Sequence, residues 1–312
     1  MSTLGAKLVR PANDPLRGAL WMIGATTCFA VMAVAIRLLA GRQNAIDIAF
    51  WRSVMGVLFL LPFMLRGMSG GMFKSRRFPL LGVRAILTYV AMTSYFFALA
   101  EMSSMADAVA LNATIPLFTV LLVVFFLPEA VGWRRWTATV VGFLGAMVVL
   151  RPGFHDIGVP ALLAVGSAVF YASAGIVVKV LARTEPTARI VFYMNLFLLI
   201  IAAAPAAWRW NLPTLEDWPY LIAIGISGTL AHVCVTRAFQ AADASFVAPF
   251  DFWRLVLVVV AGWAIFNDPG SVWTWVGGAI VFASAAYITH RETAKARKGA
   301  AIEAKAGAAA TD

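Results

Sequence analysis

Ten apolar runs, each long enough or nearly long enough to cross a bilayer, recur along this 312-residue chain. They fall near 17–40, 46–66, 79–100, 105–127, 136–150, 158–181, 188–207, 218–238, 244–266 and 273–290. A helix needs about 20 apolar residues to cross roughly 30 Å of hydrocarbon, fewer or more with tilt, whereas a barrel strand needs about ten alternating ones. Run length therefore predicts helices. Hydrophobic residues make up 62% of the chain and charged residues 13%, against roughly 45–50% and about 25% in a soluble domain. No soluble interior of this size hides so much apolar surface. The expected fold class is an all-α polytopic membrane protein, with the lipid bilayer as its first partner.

The basic residues orient it. With the amino terminus in the cytoplasm, sixteen of the 25 lysines and arginines fall on the cytoplasmic side and three, Arg42, Arg151 and Arg209, on the outer side. Six more, Arg37, Arg52, Arg84, Lys179, Arg237 and Arg254, lie within or at the ends of runs. That asymmetry places both termini inside and favours an even number of crossings. The net charge of +10 thus reflects topology; no basic patch with interleaved aromatics suggests nucleic acid. Cys28 and Cys234 both sit inside apolar runs and read as packing residues. Trp133, Trp136, Trp208, Trp210, Trp218, Trp273 and Trp275 gather at run ends, as interfacial anchors do.

The chain also matches itself. An offset of 142 residues lays Arg17–Ala40 on Val159–Ala182, with Ala19, Leu20, Gly24, Ala30, Leu39 and Ala40 meeting identical residues and Arg37 meeting Lys179. Phe50-Trp51 falls on Phe192-Tyr193. At an offset of 136, Ala106-Asp107-Ala108 meets Ala242-Asp243-Ala244 and Gly142 meets Gly278. Five crossings per copy is an odd number, so the second copy enters from the opposite side. The expectation is ten transmembrane helices as two inverted five-helix repeats, 17–151 and 158–290, with a cytoplasmic segment at 1–16 and a flexible basic tail at 291–312. Inverted repeats surround a site near the midplane and produce alternating access most readily.

Three stretches, FWRSVMGVLFLLP from Phe50, LPEAVGWRRWTATVVGFLGAMVVLRPG from Leu127 and ADASFVAPFDFWRLVLVVVAGW from Ala242, make the chain resemble EamA-type members of the drug/metabolite transporter superfamily. The resemblance covers nearly all of 17–290. It implies a ten-helix carrier of small organic metabolites in the bacterial inner (plasma) membrane, often an exporter, with a cavity lined mainly by helices one, three, four, six, eight and nine. The chain departs from the family's pattern after the ninth run, where Asn267-Asp268-Pro269 stands in place of a Gly-Glu pair.

Ionisable groups inside a bilayer cost roughly 2.5–3.5 kcal/mol at a helix centre, so they face cavities or partners. Asp251 and Arg254, three residues apart after Pro249 and Phe250, share a helix face and can neutralise each other. They read either as a pair that cargo or a proton displaces or as a static bridge. Asn112, Thr114 and Pro116 mark the corresponding region of the fourth run. Arg52 and Arg84 can each fork onto an anionic group or snorkel to a headgroup, snorkelling being slightly favoured for Arg84. Arg37, Lys179 and Arg237, near run ends, read as snorkelling. His232 suits a proton relay or a neutral core position. Tyr89 and Thr93, with Phe96 and Phe97, and Tyr171 with Ser173, follow helical spacing that fits either a cavity wall or helix packing.

No HExxH, GxSxG, phosphate loop or Cys/His cluster is present, so neither an enzyme nor a metal or cofactor is expected. The expected partner is a small-molecule metabolite, anionic or amino-acid-like, moved by an exporter or exchanger; a passive channel is the alternative. Proton coupling, for which Asp251, His232 and Asp107 are the candidates, and a homodimer are left open by these residues.

Overall fold

The computed structural model describes residues 14–66, 73–102, 105–127, 132–150, 158–209 and 211–266, with isolated positions between 272 and 287. The described residues are helical throughout, joined by short turns. In order they form α1 (Pro15–Leu39), α2 (Ala45–Arg66), α3 (Phe78–Glu101), α4 (Met105–Asn112), α5 (Ile115–Phe126), α6 (Trp133–Leu150), α7 (Val159–Leu181), α8 (Thr187–Arg209), α9 (Trp218–Ala241), α10 (Ala244–Val247), a 3₁₀ turn (Ala248–Phe252) and α11 (Trp253–Phe266). Seven helical segments among them are long and apolar enough to cross a membrane, and the shorter α5 is equally apolar. Their outward faces carry Leu20, Phe63, Phe125 and Ile200, more than half exposed, as surfaces bathed in hydrocarbon require.

Two runs that read as continuous spans are interrupted. The run at 105–127 breaks between α4 and α5, where Thr114 Oγ1 donates to the Leu111 carbonyl at 2.8 Å and Pro116 opens the new helix without needing a donor. The run at 244–266 tightens at Pro249 into the 3₁₀ turn before α11 resumes. In both, proline removes a backbone N–H and neighbouring groups recover the freed carbonyls. The segments 1–13 and 288–312, the stretch 267–271 and most of 273–290 lie outside the described residues. At its described positions the last run is helical, and Ser284 Oγ donates to the Ala138 carbonyl of α6 at 2.7 Å.

Packing follows a crossed pattern: α1 lies along α9, α3 along α7 and α2 along α8. The α2–α8 pair is antiparallel and tied at both ends. At one end Gln43 Nε2 donates to Asp217 Oδ2 at 3.1 Å; at the other Ser75 Oγ donates to Glu185 Oε1 at 2.7 Å. Gly41, with φ +84°, makes the turn that delivers Gln43. Asp217 holds the N-cap position of α9, just before the apolar span Trp218–Ala241. Burial alone would raise its carboxyl, but hydrogen bonds from Gln43 and Thr214, with Arg42 nearby, hold it below the ordinary value.

Two long basic side chains anchor the helix ends rather than snorkelling. Arg37 Nη1 donates to the carbonyls of Leu99, Ala100 and Met102 at 2.9, 3.2 and 2.8 Å. Lys179 Nζ donates to those of Phe239 and Ala242 at 2.9 and 2.5 Å. The last carbonyls of α3 and α9 have no intrahelical donors, and a cation there satisfies them and meets the negative end of the helix dipole. Arg237, by contrast, stays exposed, stacked 4.8 Å over the Trp21 ring. Cys28 and Cys234 are free thiols.

Candidate functional site

The interruptions face a shared cavity. About 760 Å³ of open volume, counting its mouth, lies between α1 (Met22, Phe29, Met32), α3 (Arg84, Thr88, Tyr95), α5 (Ile115, Thr119), α7 (Tyr171 among others), α9 (His232, Val235, Phe239), the 3₁₀ turn and the start of α11. Its wall combines aromatic faces with a few convergent polar groups.

At its head stands the Asp251–Arg254 pair. Three residues make one turn of a 3₁₀ helix, so the tightened backbone stacks one residue over the other. Arg254 Nη2 reaches Asp251 Oδ2 at 3.0 Å and Asn112 Oδ1 at 2.9 Å. Asn112 passes the chain on, its Nδ2 donating to Ser167 Oγ at 2.6 Å on α7. The guanidinium lies 5.8 Å from the Phe29 ring centre and 5.7 Å from that of Tyr95, within cation–π range of both. The two broken helices are thus bonded through Asn112 and Arg254, and both charges of the pair line the cavity.

Other candidates separate by position. His232 lines the cavity with its ring edge-on to Phe29, centroids 5.4 Å apart. Tyr171 lines it beside Tyr95, 6.5 Å away. Arg84 also lines it and does not snorkel: it is 1% exposed, and its Nη1 donates to the Ile190 carbonyl of α8 at 2.7 Å. Arg52 is equally buried, against Gly228 of α9, where an added Cβ would stand 2.7 Å from Arg52 Nε and 2.9 Å from Met32 Sδ. Asn112 acts through Arg254. Tyr89 and Thr93 are not lining residues, and Thr93 Oγ1 turns back to the Tyr89 carbonyl at 2.8 Å. Phe250 packs on Phe246, 5.6 Å between centroids, away from the cavity. The Asp107 side chain lies outside the described residues.

Sequence reading passed over Phe29, Thr88, Tyr95 and Phe239. On α3 the available signal was register: Arg84, Thr88 and Tyr95 are spaced four and seven residues apart and form one stripe, which Tyr89 and Thr93 do not share. Among the described residues no cluster of His, Cys, Asp and Glu has the makings of a metal site.

Comparison with known proteins places this architecture. The riboflavin transporter of Vibrio cholerae is 33% identical over 92% of this chain and 97% of its own length. An S-adenosylmethionine uptake transporter of Rickettsia bellii is 30% identical over 90% and 97%, and a pseudopaline exporter of Pseudomonas aeruginosa 30% identical over 85% and 93%. One solved crystal structure matches 86% of this chain and 95% of its own with a TM-score of 0.71, at 18% identity, a likeness of fold alone. The model of the EamA-like transporter family matches residues 16–151 and again 159–290. The chain is an integral membrane protein and belongs to the EamA-like transporter family, small-metabolite transporters rather than enzymes.

Proposed function

We propose that the chain is a secondary carrier that moves a small organic metabolite across the bacterial inner membrane by alternating access, as an exporter or exchanger, with both termini in the cytoplasm. The observation that carries this reading is the cavity's place between two interrupted helices, with walls drawn from both halves of the chain. Irregular backbone at membrane depth is tolerated where it lines such a cavity.

Ten crossings in two inverted repeats remain part of the proposal, and doubled contacts support it. Shifting by 142 residues turns Gln43–Asp217 into Glu185–Ser75 with the halves exchanged, and the two ties stand at opposite ends of the α2–α8 pair. The same shift carries Arg37 onto Lys179, and each clamps the end of a helix two further along its own half. The α1–α9 and α3–α7 packings are likewise one arrangement made twice. Such pairing is what two gates around one site require.

The cargo we assign is a metabolite with a planar ring. Riboflavin and S-adenosylmethionine, named for two relatives, both carry a fused heteroaromatic system, and Phe29, Tyr95, Tyr171, Phe239 and His232 give such a ring faces and edges to pack on. The test is flux in proteoliposomes with riboflavin and S-adenosylmethionine as probes. Saturable uptake, accelerated by unlabelled probe on the far side, is expected for at least one of them. Linear flux without acceleration would identify a channel instead. Labelling of cysteines at Ser75 and Thr293 from one side only is the matching test of topology.

A further inference from the structure

The pair at the cavity head is electrically complete; the other end of the wall is not. Arg52 and Arg84 are each 1% exposed. Among the described residues no partner meets Arg52 Nε, Nη1 or Nη2, nor Arg84 Nε or Nη2. The two guanidiniums lie within Coulombic reach of each other and both act on His232. Among the described residues the cavity's carboxylate is Asp251, already taken by Arg254. A buried guanidinium stays protonated, so five unmet donor nitrogens in two like-charged groups are a standing cost. Groups kept at such cost inside a membrane mark a binding site.

We propose that Arg52 and Arg84 form the subsite for an oxyanion of the cargo, a carboxylate or a phosphate, so that the transported class is a metabolite bearing such a group, its ring lying toward Tyr95 and Phe29. A planar fork of donors suits either oxyanion; Arg84 and Met32 stand in the wall, and Arg52 Nε and Met32 Sδ both lie beside Gly228. Gly228 has a role here: any side chain at that position would push into Arg52 Nε. The inference rests on the carrier reading for what the cavity holds, but its test needs no transport.

The thermal midpoint of purified protein in detergent is measured in chloride, acetate, malonate and phosphate at equal ionic strength, for the wild type, Arg52→Met, Arg52→Lys and Gly228→Ala. Malonate or phosphate is expected to raise the wild-type midpoint by about 3 °C or more over chloride, and which of them acts more strongly separates carboxylate from phosphate. Arg52→Met is expected to match or exceed the wild type in chloride and to lose the specific rise, because removing an unpaired buried charge relieves its cost. Arg52→Lys and Gly228→Ala should each keep less than half of the rise. Equal rises in wild type and Arg52→Met, as general salt exclusion gives, would overturn the subsite. So would an Arg52→Met midpoint far below the wild type in chloride, or an undiminished rise in Arg52→Lys. Unsaturable flux in liposomes would remove the carrier and leave the subsite; saturable flux with no oxyanion effect would do the reverse.

Discussion

Lys179 and Arg52 are both basic, both at most 4% exposed, and in opposite situations. Lys179 points its ammonium at the carbonyls that end α9, and Arg37 does the same for α3. Arg52 has three guanidinium nitrogens and, among the described residues, no acceptor for any of them. The difference teaches how to read a cation inside an apolar fold. Where backbone supplies acceptors, the charge closes a structural account; where nothing does, the charge is held ready for something that arrives.

The first way to break that comparison is the intermediate case, Arg254, which has both an ion partner and a cavity face. Asp251→Ala is expected to cost about 3–5 kcal/mol by leaving Arg254 unpaired, seen as a fall in thermal midpoint, whereas Asp251→Ala with Arg254→Ala together should lose less than either alone. A double variant worse than both singles would mean that the pair is held by more than charge. Asp251→Asn should insert normally yet lose saturable flux in proteoliposomes; wild-type uptake by it would remove the pair from the mechanism. Next in size, Lys179→Met is expected to cost about 2–3 kcal/mol through orphaned carbonyls, with Arg37→Met similar. If Lys179→Met were as stable as the wild type, the contrast with Arg52 would vanish. The smallest effect concerns Asp217. Its carboxyl is held below the ordinary value of 3.8, so its stabilising effect is fully present above about pH 4 and is lost as pH falls through the lower, folded value. Asp217→Asn should therefore flatten the acid limb of a stability-against-pH curve below about pH 4 and leave its slope at neutral pH unchanged.

Much of the scaffold was readable from residues because length and hydropathy dictate it: α1, α2, α3, α7, α8 and α9 fall within a few residues of their apolar runs. The Asp251–Arg254 contact was readable too, since spacing of three brings side chains together in either helix type. The clamps were not. Arg37 and Lys179 sit near helix ends where snorkelling is the default, and only tertiary packing brings the carbonyls after Phe239 and Leu99 beside them. Phe29 and Tyr95 were missed because an aromatic at helical spacing looks the same facing lipid, a neighbour or a cavity. Arg84 was misjudged toward the headgroups because sequence depth does not reveal that α8 covers it.

The twin fastenings on α2 and α8 have a mechanical consequence. A panel held by latches at top and bottom of one edge does not part along that edge. It turns about it, and the far side swings. With Gln43–Asp217 at one end and Ser75–Glu185 at the other, the motion of the proposed carrier would turn about the α2–α8 seam.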